Sequence, residues 1–408
     1  MRIQILVAFS LGWFIASPAL AQQSAGAAAD QGSATSSTQA TAQATPAAPQ
    51  LLPSPSMTAP LQTAPPHMFD AGPFGKLAIT GILSGMGLTQ GNWVPPDKPT
   101  HWDLSNGQIF LQKTTGWWQF YLQGGAYNIP VLGTPFLSTV DTVKNLYGPL
   151  PVGYLKLVKG NFSVEVGQLP TLIGAEYTFG FENMNVERGL LWNQENAITR
   201  GVQVNESIGH LSASVSWNDG FYSNRYNWIS GALSYALNPS NTLAFVAGGN
   251  VWQTGYSTAA TPLLQNNGAI YNVIYTYSHE SWMIQPYFQY TNVPANTKIG
   301  ILQSGSTRSG SLLLNYTFKH GLSLAVRPEY ISSSGSPTNP AALNLLGYGP
   351  GSGAFSFTVT PTYQKQGFFI RGDFSIVHAT SSTAGDVFGP AGLNGNQPRG
   401  AIEAGFMF

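Results

Sequence analysis

The last eleven residues, "PRGAIEAGFMF", constrain the fold most, because their apolar side continues to the end of the chain. Read at a period of two, one side carries no charge and consists of Gly400, Ile402, Ala404, Phe406 and Phe408. The opposite side carries both charges of the stretch, on Arg399 and Glu403. Because side chains point to alternate faces in a β-strand, the stretch predicts a strand with one apolar and one polar face.

The same alternation recurs upstream, for example in "FSVEVGQ" (162–168), "LSLAVRPEY" (322–330) and "FFIRGDFSIV" (368–377). Between such stretches, short turns are predicted at 114–116, 159–160, 207–209, 238–241, 278–281, 319–321 and 365–367. Long connections are predicted at 90–106, 128–151, 169–197, 218–226, 253–267, 292–307, 333–353 and 380–397. Seven short and eight long connections predict about sixteen strands that run up and down beside their sequence neighbours, with fourteen or eighteen left open.

The composition favours a membrane barrel over a soluble all-β protein. Charged residues make up 8% of the chain, against roughly 25% in ordinary globular domains. A secreted β-propeller or sandwich would cover its surface with charge. No stretch after the N-terminus reaches the roughly 20 apolar residues of a transmembrane helix. We therefore predict an all-β, transmembrane, antiparallel up-and-down β-barrel, whose last strand pairs with the first because an open sheet edge in lipid is too costly.

The N-terminus predicts export. "MRIQ" is followed by the apolar run "ILVAFSLGWFIA" and by "ALA" before Gln22, which is typical of a signal peptide over 1–21. A membrane anchor is the alternative for this run. Residues 22–73 are rich in Ala, Ser, Thr, Gln and Pro and predict a disordered leader before a barrel domain at 74–408. The predicted location is the bacterial outer membrane.

The polar faces predict a pore. A barrel of about sixteen strands encloses an aqueous channel. The third long loop (169–197) is partly apolar and carries one base, Arg188, with four acids: Glu176, Glu182, Glu187 and Glu195. Because acidic groups in a constriction favour cations, we predict that this loop folds into the barrel, narrows the pore and gives a weak cation preference. The alternative is a set of solvated carboxylates without selectivity.

Charged residues on the predicted strands are expected to line the pore wall. They are Lys156, Glu165, Arg327, Glu329, Arg371, Asp373, Arg399 and Glu403. Many of these acids and bases are close neighbours along one strand, so mutual neutralisation is an alternative to a role in selectivity.

The third loop also carries a resemblance to a known family. Its segment is similar to one typical of the OmpL-like β-barrel porins, through Gly167, Thr171, Gly174, Glu176, Arg188, Leu190, Leu191, Trp192, Thr199, Gly201 and Val202. Gln168, Asn196 and Arg200 depart from the family's pattern. The resemblance implies a porin. Phe408 likewise resembles the C-terminal aromatic signal of outer-membrane barrels, which the barrel-assembly machinery recognises.

These features together predict an outer-membrane porin for passive diffusion of small hydrophilic solutes. We expect no catalytic residue, metal or cofactor, since the chain lacks Cys and its histidines are scattered. The expected partners are outer-membrane lipid, solutes and the assembly machinery. A homotrimer is left open, and equal numbers of acids and bases argue against nucleic acid.

Three alternatives to an unselective porin are kept. The chain could form a substrate-specific channel, or it could be a binding or adhesin barrel that uses its outer loops. An outer-membrane hydrolase is less favoured, because only His378, near Ser375 and Ser381, offers a histidine on a predicted strand.

Overall fold

The computed structural model describes residues 61–63 and 65–408. The predicted signal peptide and residues 22–60 and 64 of the predicted leader lie outside the described residues. The described strands are β1 (His67–Asp70), β2 (Lys76–Gln90), β3 (Thr100–Lys113), β4 (Trp118–Tyr127), β5 (Val152–Lys159), β6 (Phe162–Pro170), β7 (Ile198–Ile208), β8 (Leu211–Asn218), β9 (Trp228–Asn238), β10 (Asn241–Asn250), β11 (Ala269–His279), β12 (Trp282–Val293), β13 (Gly305–Thr317), β14 (Leu322–Ser333), β15 (Gly353–Lys365), β16 (Phe368–Thr380) and β17 (Asn396–Met407).

Strands β2 to β17 form a closed antiparallel barrel, in which each strand pairs with its neighbour in the sequence. The barrel closes where β17 pairs with β2, from Arg399 opposite Gln90 to Met407 opposite Ile82. Short turns and long loops alternate between the strands. The predicted sixteen-stranded barrel is therefore confirmed, and closure leaves no free edge between the first and last barrel strands.

The predicted alternation of faces is also confirmed. On β17, Ile402 and Phe406 are 48% and 57% exposed on the outer surface, whereas Arg399 and Glu403 are buried towards the interior. The outer side chains are predominantly apolar, as contact with lipid hydrocarbon requires. A shift of register by one residue would turn every apolar side chain inward, so the pattern fixes the register.

Helices occupy little of the described chain. Helix α1 (Thr139–Asn145) lies in the second long loop, where the Ser138 side chain accepts a hydrogen bond from the Asp141 backbone N–H. The other helical segments are α2 (Leu263–Asn266) and 3₁₀ turns at Gly72–Phe74, Gly180–Glu182, Leu191–Gln194, Thr297–Ile299 and Lys319–Gly321. Within the described ranges, these helices are too short to cross a membrane.

The described end of the predicted leader is attached to the barrel. Strand β1 pairs with the start of β2, from His67 opposite Ile79 to Asp70 opposite Lys76. Leu61 is 1% exposed and lies in an apolar cluster with residues of the barrel interior. The Gln62 backbone N–H donates to Gln364 Oε1, and Gln364 Nε2 donates to the Gln62 carbonyl, both at 2.8 Å.

Candidate functional site: the barrel interior

The third long loop, hereafter loop 3 (171–197), packs inside the barrel through its apolar side chains. Ile173, Phe179, Phe181, Leu190 and Leu191 are each at most 3% exposed. They belong to two apolar clusters that include residues of the barrel wall. The Phe181 ring, for example, lies 5.6 Å from the ring of Phe110 on β3. Burial of these side chains removes apolar surface from water, which favours the inward position of the loop.

Arg327 on β14 binds loop 3 most extensively. Its Nη1 donates to Glu176 Oε1 at 2.5 Å and to the Glu187 carbonyl at 2.9 Å. Its Nε lies 3.3 Å from Glu329 Oε2, on the same strand. Glu329 in turn accepts a hydrogen bond from the Leu190 backbone N–H at 3.1 Å. One wall arginine and its neighbouring acid thus hold both halves of the loop.

Strand β16 provides a second attachment. Arg371 pairs with Glu403 on the neighbouring strand β17 and donates from Nη1 to the Asn183 carbonyl at 3.0 Å. Asp373, two residues further along, accepts backbone N–H bonds from Val186 at 2.6 Å and from Glu187 at 3.1 Å. Because residues two apart in a strand share a face, both side chains reach the same part of the loop.

Arg399 on β17 connects loop 3 with the second loop. Its Nη1 donates to Glu187 Oε1 at 2.9 Å and to the Val131 carbonyl at 2.8 Å. It also donates to the Thr134 carbonyl, and its Nε donates to Gln90 Oε1 at 3.0 Å. We call strands β14–β17, with these three arginines, the anchored wall.

The charges of loop 3 itself are buried. Arg188 is 0% exposed and donates to the carbonyls of Asn185 and Val186, and burial lowers its pKa to about 10. Burial also raises the pKa of the Glu182 carboxyl to about 8. The pKa of Glu195 is raised well above its usual value, by burial first and then by the charges of Glu176 and Glu329.

The structure divides the predicted pore residues into two groups. The first group is buried where loop 3 meets the anchored wall. It consists of the five predicted loop residues and of six wall residues: Arg327, Glu329, Arg371, Asp373, Arg399 and Glu403. Lys156 and Glu165 lie apart from them and pair with each other at 2.9 Å across β5 and β6, close to a short turn. The four loop acids are at most 5% exposed, so they are not solvated.

A different part of the wall is open to solvent. On β8–β11, in the half nearer the short turns, the inward side chains are small, uncharged and mostly partly exposed: Ser212, Ser214, Ala232, Ser234, Ala236, Thr242, Ala244, Thr276 and Ser278. We call this surface the open wall. Our sequence reasoning did not select these residues, although their alternation with Leu233, Tyr235 and Phe245 was visible.

The structure separates His378 from Ser375, one of the two serines of the hydrolase alternative. His378 faces outward on β16 and its Nδ1 lies 2.8 Å from Asn396 Oδ1. Ser375 faces the interior and donates to Glu187 Oε2 at 3.3 Å. The histidine and Ser375 therefore lie on opposite faces of the sheet, where no proton can pass directly between them.

Comparison with known proteins gives one family match. The model of the family described as "Putative beta-barrel porin-2, OmpL-like" matches residues 76–408. That range includes all sixteen barrel strands. No curated protein matches the chain.

Solved structures resemble the chain in fold. The outer-membrane channel DcaP of Acinetobacter baumannii is 9% identical, with a TM-score of 0.56, over 81% of this chain and 97% of that one. OmpT of Vibrio cholerae, an outer-membrane protein, is 10% identical with a TM-score of 0.55, over 84% and 100%. OmpF of Salmonella typhi is 13% identical with a TM-score of 0.54, also over 84% and 100%.

Proposed function

We propose, from the premise that this chain belongs to the OmpL-like β-barrel porin-2 family, that it passes small hydrophilic solutes down their gradients through its interior. The family match makes the chain an outer-membrane porin. The path of the solutes through the barrel and their chemical class are what we propose. The observation that carries the proposal is the contrast inside the barrel. Loop 3 makes its charged contacts with the anchored wall, while the open wall presents hydroxyl and methyl groups to solvent.

Loop 3 is proposed to narrow the pore. It bonds to Arg327, Arg371 and Arg399 on one side. Further along the same arc, the Gly174 N–H donates to Asn272 Oδ1 on β11 at 3.2 Å, and Gln289 Nε2 on β12 donates to the Leu191 carbonyl at 3.0 Å. Half-way round the barrel from β11, the Phe181 ring of the loop lies 5.6 Å from the Phe110 ring on β3. Contacts with both sides of the wall leave only part of the cross-section for water and solute.

A weak cation preference is proposed from the charge balance of this cluster. Within the described contact region, seven carboxylates (Glu176, Glu182, Glu187, Glu195, Glu329, Asp373 and Glu403) face four arginines (Arg188, Arg327, Arg371 and Arg399). The raised pKa values of Glu182 and Glu195 reduce the negative excess. Because most of these groups pair with one another in the interior, we propose that the excess of acids over bases attracts cations only weakly.

The remaining parts of the proposal concern export and assembly. We propose that residues 1–21 direct export, that Phe408 is the signal for the barrel-assembly machinery, and that transport proceeds without catalysis or cofactor. Assembly into a homotrimer through the second loop is an open alternative to a monomer. A substrate-specific channel is the alternative to an unselective pore.

Planar-bilayer recording of the refolded chain tests the proposal. We expect stepwise conductance in KCl, and a reversal potential in a KCl gradient that indicates a small excess of K⁺ over Cl⁻ permeability. Heat-denatured protein in the same detergent is the control. Absence of conductance would contradict the pore, and anion preference would contradict the charge argument alone.

A further inference from the structure

A cavity of about 240 Å³ lies beside loop 3, at the end of the barrel that carries the long loops. We call it the outer cavity. Its walls come from four long loops and one strand, which include Thr134 of the second loop, Gln194 of loop 3, Gln265 of the fifth loop and Tyr348 of the seventh. Several of these groups are held in place. Gln194 Nε2 donates to the Leu345 carbonyl at 3.1 Å, and Asn193 Nδ2 donates to the Leu132 carbonyl at 3.1 Å.

The chemistry of this outer cavity is uncharged. No residue that lines it is Asp, Glu, Lys, Arg or His. Leu190, Leu345 and Leu346 provide apolar surface, while Asn193, Gln194 and Gln265 provide side-chain amides. An apolar wall with a few amide donors and acceptors suits a neutral ligand that has both C–H faces and hydroxyl groups. An ion would lose its hydration there without a compensating charge.

The outer cavity leads towards the barrel wall. A second, narrow cavity of about 10 Å³ shares Gln194 and Gln265 with it and also contacts Ile270 and Thr291 of β11 and β12. That space holds about one water molecule. The two glutamine side chains thus lie between the outer cavity and the wall of β11, whose inward residues nearer the short turn belong to the open wall.

We propose that the outer cavity is a binding site for a neutral, hydroxyl-bearing solute of about monosaccharide size, with Gln194 and Gln265 as the amides that recognise it. This inference rests on the proposed porin function and deepens it by naming the solute class. The size of the ligand follows from the volume of the outer cavity. At about 240 Å³, the cavity is smaller than the roughly 300–1,000 Å³ of sites for drug-sized ligands, so it suits a smaller molecule. The class follows from uncharged chemistry in the cavity and on the open wall.

The test measures binding and transport separately on the full refolded chain. Saturation-transfer NMR in detergent reports binding of D-glucose, with gluconate and glucosamine as charged probes of similar size. Planar-bilayer recording then reports the reduction of KCl current by the same three probes. We expect glucose to bind and to reduce the current, and each charged probe to do so at least several-fold more weakly.

Two substitutions locate the site. Leu346→Trp fills the cavity from a partly exposed loop position and is expected to weaken glucose binding at least tenfold, and Gln265→Ala is expected to weaken it several-fold. Leu393→Trp, at an exposed leucine of the eighth loop, is the matched control and leaves binding unchanged.

The outcomes separate the two proposals. Glucose binding that Leu346→Trp does not weaken, or equal binding of all three probes, overturns the site. A chain that binds glucose with the expected mutational pattern but shows no KCl conductance overturns the porin proposal and leaves the site standing.

Discussion

The anchored wall and the open wall belong to one sheet and face one interior, yet they differ in chemistry and in exposure. The anchored wall carries Arg327, Arg371 and Arg399, each at most 5% exposed and each bonded to loop 3. The open wall carries Ser, Thr and Ala, and solvent reaches most of its side chains. The inward arginines of β14–β17 therefore indicate where the loop is held, whereas the pair of Lys156 and Glu165 lies apart from it. Small uncharged residues indicate where solvent remains.

The energetics of the two walls should differ accordingly. A buried ion pair contributes little net stability relative to apolar residues, but removal of one partner leaves an uncompensated charge. On the open wall, a changed side chain remains hydrated, so most substitutions there should have small effects.

The largest expected effect follows removal of the central arginine of the anchored wall. Arg327→Met leaves Glu329 buried without its cation and leaves Glu176 with only Arg188, whose Nε is 4.0 Å away. We expect the free energy of unfolding in urea to fall by about 3–5 kcal/mol, and the single-channel conductance to rise as loop 3 detaches. Arg308→Met, at an exposed residue of β13, is the control. Equal unfolding curves for the two variants would show that Arg327 does not hold the loop.

The next effect is a dependence on pH. Because the packed loop raises the pKa of Glu182 from 4.5 to about 8, the packed state binds more protons than a released loop between these values. The packed state should therefore lose about 1.4 kcal/mol relative to the released state for each pH unit of increase in that window, and no more above it. Conductance recorded from pH 5 to 9 should rise with pH. Glu182→Gln should reduce the slope, and an unchanged slope would assign the titration to other groups.

The fold could be predicted from the sequence because its determinants are local. Alternation at period two identified the strands, the lengths of the connections identified the turns and loops, and lipid requires closure. The short strand β1 (His67–Asp70) was missed, since four residues without an alternating pattern give no strand signal. Its formation depends on pairing with β2.

The interior could be predicted only in part. The residues of loop 3 were selected from their composition, but their contacts depend on the path of the loop through space. Glu176 and Arg327 are 151 residues apart and no periodicity relates them. The open wall was predicted only as part of the polar faces that line the pore. Its residues were not singled out, because Ser234 and Ala232 have no charge or reactive group that marks a site. The sequence feature that could have identified them is their position on the polar face of a strand that carries no charged residue.

A new charge on the open wall should change selectivity more than stability. Ser234→Asp introduces a hydrated carboxylate on β9, and about 1 kcal/mol of attraction for a cation at 4 Å in water corresponds to a few-fold rise in the K⁺/Cl⁻ permeability ratio. Its stability should change by about 0.5 kcal/mol or less. The matched variant Ser230→Asp lies on the same face but is 2% exposed and accepts a hydrogen bond from Asn218. The Ser230→Asp variant should unfold at lower urea concentration than Ser234→Asp. Similar stability of the two variants would contradict the argument that solvent exposure makes the open wall tolerant of a charge.

The smallest loss expected from breaking an ion pair concerns the pair that lies outside the anchored wall. Lys156 and Glu165 are 2.9 Å apart, but their side chains retain 16% and 11% exposure. Because water reaches both groups, Lys156→Gln should lower the free energy of unfolding by about 1 kcal/mol or less. A double-mutant cycle with Glu165→Gln measures the coupling in the same urea curves. If this coupling were as large as the loss from Arg327→Met, burial under loop 3 would not explain the stability of the ion pairs of the anchored wall, because a partly exposed pair would contribute as much.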